Sequence, residues 1–175
     1  MLSNMTEREK VLQKLDDMKV TYEFQEHPAV YTIEEMENLG ISEGVVKNLF
    51  LRDSKGKRHF LVVLPKDKQA DMKSIGAQLG CSRLSFASEE RLGRYLKLLK
   101  GAVSPLGILN DADKCVEVVF DKDLLGETRL GVHPNDNTAT VWISFADLQD
   151  IIKRNGNTIY FIELQPFRAN EEPLS

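Results

Sequence analysis

The chain has 175 residues, 42% of them hydrophobic and 29% charged, with a net charge of −4 at pH 7. That suits one compact domain with a real core and argues against disorder. No apolar run is long enough to span a bilayer, the N-terminus lacks an apolar signal segment, and Cys81 and Cys115 form no CxxC pair, so a reducing cytoplasm is the expected compartment.

The first element is predicted to be a helix. Thr6 and Glu9 make a capping box, and Val11, Leu12, Leu15 and Met18 share one face. A short strand follows over 20–24 and is interrupted at His27-Pro28, since a residue before proline favours extended backbone. Thr32 and Glu35 cap a short acidic helix that stops at Gly40. Two strands, over 45–52 and 59–64, flank the polar turn 53–57 and read as a hairpin. A helix over 71–79 closes at Gly80, and Ser88 opens another that runs to about Lys97. The segment 101–107, with Pro105 and two glycines, reads as a loop. A half-buried strand covers 115–120, and short strands over 129–132 and 138–142 flank the polar loop 133–137. Ser144 and Asp147 cap a last helix bearing Phe145, Leu148, Ile151 and Ile152, and a closing strand runs over 158–164. The expected organisation is a single domain over 1–165 with a frayed tail over 166–175. Hairpins outnumber βαβ units, so the fold class is α/β or α+β, with a mixed, partly barrel-like sheet surrounded by helices.

The charge is uneven. Between positions 47 and 100 there are 13 Lys and Arg against five Asp and Glu, while the rest of the chain has 10 against 22. Solvated helix faces are the simpler reading of that pattern, and a positive face toward a polyanion is the functional one. Dinucleotide, P-loop, zinc-protease and nucleophile-elbow motifs do not occur.

Three places carry candidate chemistry. Lys47 interrupts an apolar strand and is on the solvent face, guards an edge, or lines a cleft, where it would suit a phosphate. The apolar loop Gly101-Ala102-Val103-Ser104-Pro105-Leu106-Gly107 either exposes backbone groups to a ligand or makes a tight crossover. His133 is either a general base or ligand-positioning donor, or simply a turn residue before proline, and His27 shares the ambiguity. His59 is expected at the surface, and both cysteines are expected as small buried hydrophobes. The histidines lack metal-ligand spacing, so no metal site and no cofactor are expected.

These residues together resemble a known family. The runs are Glu26-His27-Pro28-Ala29-Val30-Tyr31-Thr32, Val46-Lys47-Asn48-Leu49-Phe50, Arg83-Leu84-Ser85-Phe86, the 101–107 loop, and His133-Pro134 with Asn137-Thr138-Ala139-Thr140. In order and spacing they are similar to the free-standing relatives of the editing domain of bacterial prolyl-tRNA synthetases, on the alanyl-tRNA(Pro) deacylase branch. The resemblance implies a trans-editing hydrolase that cleaves the aminoacyl ester of mischarged tRNA(Pro) with a positioned water and without a cofactor. Its partners would be the tRNA(Pro) acceptor end carrying a small amino acid, and prolyl-tRNA synthetase.

The resemblance assigns catalytic places to Lys47, Gly101, Ser104 and His133. Lys47 would hold the terminal adenosine phosphate, the Gly101 loop would orient the aminoacyl group and the water, and His133 would shape the amino-acid pocket. Asn48, Ala102, Val103 and Pro105 would contact substrate, and Val30, Tyr31 and Val46 are expected to line the pocket by their nearness to the motifs. The basic stretch would cradle the acceptor stem. Rival readings are a deacylase for cysteinyl or another small aminoacyl ester, and a non-catalytic module that senses an amino acid or aminoacyl-tRNA.

Overall fold

Side-chain caps start all five α-helices among the described residues. The computed structural model describes residues 5–81 and 83–167. Helix α1 (Glu7–Asp17) begins where the Thr6 hydroxyl accepts from the Glu9 amide, and α2 (Ile33–Asn38) where Thr32 accepts from Glu35. Asp71 caps α3 (Met72–Leu79), Ser88 caps α4 (Glu89–Leu96), and Ser144 caps α5 (Phe145–Asn155). Gly80 and Gly156 end α3 and α5 in the left-handed conformation that glycine adopts without steric cost.

Among the described residues the strands are β1 (Glu23–Glu26), β2 (Val46–Arg52), β3 (His59–Pro65), β4 (Ser85–Phe86), β5 (Val116–Asp121), β6 (Leu130–Val132), β7 (Ala139–Ile143) and β8 (Ile159–Ile162). They form two sheets. The larger has the order β4-β2-β3-β5-β8, with β3, β5 and β8 parallel and the β2–β3 hairpin antiparallel. The smaller places β7 between β1 and β6, all antiparallel. A lone bridge from Val45 to Gly131 joins their edges. The fold is thus mixed α/β as expected, with two sheets meeting at an edge and no closed barrel among the described residues.

Alternation along β2 sends its side chains to two cores. Val46 and Phe50 join Val132, Val141, Leu92 and the apolar face of α5 in the larger cluster. Leu49 and Leu51 face Ile75 and the rest of α3 in the smaller one. A third cluster of Val30, Met36, Val45 and Trp142 holds α2 against the end of the smaller sheet.

Several expectations need correction. The first strand starts at Glu23 rather than position 20, because Lys19 takes a positive φ and the Val20 amide folds back on the Leu15 carbonyl. The last three residues of the 101–107 loop open a 3-10 helix, Pro105–Asn110, because Ser104 caps it and proline suits a first helical turn. His59 is buried, not at the surface: its ring lies between Phe50 and Tyr95, and Arg91 reaches its Nε2 at 2.9 Å. Neither cysteine is a buried hydrophobe. Cys115 is exposed, and half-buried Cys81 accepts from Arg58 at 3.1 Å. The start of the tail is not frayed. The Gln69 amide donates to the Gln165 carbonyl, Lys68 and Pro166 form a bridge, and the Phe167 amide donates to Asp67. Positions 168–175 lie outside the described residues.

Candidate active site

A cleft of about 730 Å³ opens where the two sheets meet. The start of β2, the 30–33 segment, α2, the end of β6, the start of α4 and the 100–103 turn surround it. Val30, Tyr31, Val46, Lys47, Asn48, Gly101, Val103 and His133 all line it. Eight residues chosen from sequence, drawn from four separate stretches of chain, therefore converge on one cavity. Ala102, Ser104 and Pro105 do not line it. They are buried behind the turn.

Lys47 is only 9% exposed. A side chain that buried does not guard a sheet edge, where a charge would stand in solvent. The ammonium donates to the Lys68 carbonyl at 2.8 Å and lies 4.8 Å from the centre of the Phe167 ring. No carboxylate stands within ion-pair distance among the described residues. Burial pushes its pKa down, and Asp67 only partly opposes this. A buried cation with a neutral acceptor and a π face for partners is electrostatically under-compensated, which favours an anion entering the cleft.

Gly101 has φ +91°. A Cβ there would meet the Tyr31 ring at 2.6 Å, so any other residue would strain the backbone and displace the exposed ring lying on it. Tyr31 is 66% exposed and forms the rim. Its segment is anchored from the far side, since the Asn137 side chain donates to the Val30 carbonyl at 2.9 Å and the Val30 amide to the Asn137 carbonyl at 3.2 Å.

The hydroxyl of Ser104 donates to the His133 backbone carbonyl and accepts from the Leu106 amide, and the residue is fully buried. Its geometry ties the loop to the histidine and leaves it without access to the cleft. His133 in turn donates from Nδ1 to the Ala139 carbonyl at 2.9 Å. A carbonyl only accepts, so the neutral ring carries its hydrogen on Nδ1 and leaves Nε2 bare. Burial, the largest cause, keeps the pKa below the usual histidine range, and nearby His27 acts in the same direction. Asn48 contributes a buried side-chain oxygen with no hydrogen-bond donor among the described residues. No nucleophile–base pair lies among these groups, because the Ser104 hydroxyl is engaged with backbone on both sides. Among the described residues no cluster of three His, Cys, Asp or Glu side chains is placed to hold a metal.

Sequence reasoning missed three participants. Thr140 lines the cleft and was given no role, although its place opposite His133 follows from extending the β6–β7 register by one pair. Lys68 and Phe167 hold Lys47 from a loop and from the supposed tail, and no local signal in either stretch announces that contact. The basic residues also divide. Lys47 and Lys100 line the cleft, whereas Arg52, Lys73 and Arg83 line a second groove that meets it at Met72.

The aminoacyl-tRNA editing domain matches residues 27–151 of this chain, a span that contains every cleft residue named above. The chain belongs to that family. The prolyl-tRNA editing protein ProX of Acetoanaerobium sticklandii is 55% identical over 163 residues, covering 92% of this chain and 99% of that protein. A proline–tRNA ligase of Limosilactobacillus fermentum is 27% identical over 115 residues, 63% of this chain but 19% of the ligase. A solved structure described as a putative trans-editing enzyme for prolyl tRNA synthetase superposes with a TM-score of 0.69 at 19% identity, covering 94% of this chain and all of that one. At that identity the structural likeness speaks for the editing-domain fold alone. No helix among the described residues is long and apolar enough to cross a membrane.

Proposed function

We propose that this editing-domain protein is a trans-acting hydrolase that removes alanine from mischarged tRNA(Pro), in the cytoplasm and alongside prolyl-tRNA synthetase. The observation that carries the reading is Lys47, a buried cation without a carboxylate at the wall of a cleft of substrate size. A phosphate is the anion that a compact ammonium suits, and the terminal nucleotide of a tRNA brings one next to its aminoacyl ester. The names of the ProX relative and of the ligase that carries a similar segment support tRNA(Pro) as the carrier.

The reaction needs little from side chains. A water oxygen attacks the ester carbonyl, the carbon–oxygen bond to the ribose breaks, and the ribose oxygen takes up a proton as the free amino acid leaves. An aminoacyl ester is activated, so holding its phosphate on Lys47 and its carbonyl near the backbone at Gly101 supplies the required orientation. The neighbouring ribose hydroxyl of the tRNA, adjacent to the ester itself, is the natural group to relay the proton. Val30, Tyr31 and Val46 limit the space for the amino-acid side chain, and a steric limit rejects larger groups better than smaller ones. Prolyl esters are therefore excluded. Ser104 acts in this scheme through the loop, by gripping the backbone of His133.

The acceptor stem runs from the cleft into the groove of Arg52, Lys73 and Arg83. Binding then weakens steeply with salt, because each phosphate contact releases counterions. The test is deacylation of alanyl-, cysteinyl- and prolyl-tRNA(Pro). Loss of alanine with prolyl-tRNA(Pro) spared supports the proposal. Faster loss of cysteine would move it to a cysteinyl-tRNA deacylase, and tRNA binding with no turnover would replace it with a sensing module.

A further inference from the structure

Two acceptors stand side by side in the cleft with their hydrogens turned away from it. Thr140 is paired across the sheet with His133 when the β6–β7 register is continued from Val132–Val141, and both line the cavity. Thr140 is 1% exposed. Its hydroxyl lies 2.8 Å from Nε2 of His27, whose Nδ1 lies 2.9 Å from the Pro28 carbonyl. That carbonyl only accepts, so the hydrogen of the neutral His27 ring is on Nδ1 and its Nε2 accepts. The Thr140 hydroxyl therefore donates to His27, and what it has left for the cleft is lone pairs. The same logic, through the Ala139 carbonyl, leaves a lone pair on Nε2 of His133. The two imidazole rings sit 6.2 Å apart, so the three side chains form one cluster.

We propose that this cluster is the subsite for the α-ammonium group of the aminoacyl ester, with Thr140 Oγ1 and His133 Nε2 as its acceptors and His27 as the positioning residue that keeps the Thr140 hydrogen out of the cleft. The inference rests on the hydrolase reading and deepens it. An ammonium has three N–H donors and no acceptor, which complements a wall that offers acceptors only. A charge-assisted hydrogen bond in a buried site outweighs a neutral one, so the subsite selects esters with a free amino group over equally small esters without one. Burial holds the His133 pKa low, which keeps Nε2 bare when the substrate arrives. Thr140 thus recognises the part of the substrate common to all amino acids, while the apolar wall measures the side chain.

The experiment compares alanyl-tRNA(Pro) with lactyl-tRNA(Pro), in which a hydroxyl replaces the ammonium at the same size. The readout is the ratio of their kcat/KM values in each variant divided by the ratio in the wild type, which cancels the different intrinsic reactivity of the two esters. Thr140→Val keeps the shape and removes the acceptor, and the alanyl preference is expected to fall about tenfold. Thr140→Ser keeps the hydroxyl and should retain the preference. His27→Leu, which frees the hydroxyl to turn, should lower the preference as Thr140→Val does. An unchanged ratio in Thr140→Val, or an equal loss in Thr140→Ser, would overturn the subsite. Cleavage of neither ester by the wild-type protein would instead remove the hydrolase reading beneath it.

Discussion

Lys47 and Lys68 are neighbours joined by a hydrogen bond, and the fold treats them in opposite ways. Lys68 donates to the Leu164 carbonyl and stands 2.7 Å from Asp123 and 3.6 Å from buried Asp121. Burial pulls its pKa down, but the two carboxylates outweigh burial and raise it. Lys47 is the more deeply buried of the two and has only Asp67 nearby, outside ion-pair distance, and its pKa falls. One lysine is neutralised from within and serves the structure. The other is left for a charge from outside. A buried cation marks a binding site by the counterion it lacks, and Lys68 shows that this chain readily supplies one where only stability is required.

Exchanging the roles of the two lysines gives the sharpest test of that contrast. Lys47→Ala should lower kcat/KM for alanyl-tRNA(Pro) by about 100-fold, the loss expected for one charge-assisted contact in a desolvated site. Its melting temperature should not fall, since the variant removes an uncompensated charge. Lys68→Met should do the reverse to stability, costing about 3 kcal/mol in denaturant titrations because Asp121 is left buried without its cation.

Two glycines sharpen the comparison on the other wall. Gly101 and Gly80 both have positive φ, but a Cβ on Gly80 meets nothing within 4 Å whereas one on Gly101 strikes Tyr31. Gly80→Ala should cost about 1 kcal/mol of stability and leave turnover intact. Gly101→Ala should cost a similar amount and also slow turnover, because the rim must move. Equal turnover in the two variants would show that the Tyr31–Gly101 contact is irrelevant to the cleft.

The smallest effect concerns pH. His133 has a depressed pKa in the folded chain, so the folded state resists a proton that the unfolded chain accepts. Its contribution to stability is full above the ordinary histidine range and is lost as pH falls through that range to the folded value. Buried His59 adds a contribution of the same sign. Melting temperature should therefore drop on acidification below about pH 6.5, and His133→Gln should drop less steeply than the wild type.

What could be read in the sequence follows the range of the interactions. The helix starts at Thr6, Thr32, Ser88 and Ser144 were legible because a cap and its helix are neighbours in the chain. Lys47, Gly101 and His133 were legible as chemically odd residues in apolar or turn settings, and the resemblance to editing domains joined them. Their grip on one another was not. Lys68 and Phe167 reach Lys47 from 21 and 120 positions away, and Thr140 depends on His27 across 113. His59 misled for the same reason: its burial depends on Arg91 and Tyr95, which a polar hairpin does not reveal. Ser104 was read as catalytic from its place in the loop, and only the fold shows both sides of its hydroxyl engaged with backbone.

The most direct test of the account is the single-turnover cleavage of alanyl-tRNA(Pro) by the wild type, Lys47→Ala and Lys68→Met, with thermal melts of all three. The account predicts rapid cleavage by the wild type, near-complete loss of activity in Lys47→Ala with its melting temperature unchanged, and a lowered melting temperature in Lys68→Met. Wild-type cleavage rates in Lys47→Ala would contradict it, because the uncompensated charge would then have no part in holding the substrate.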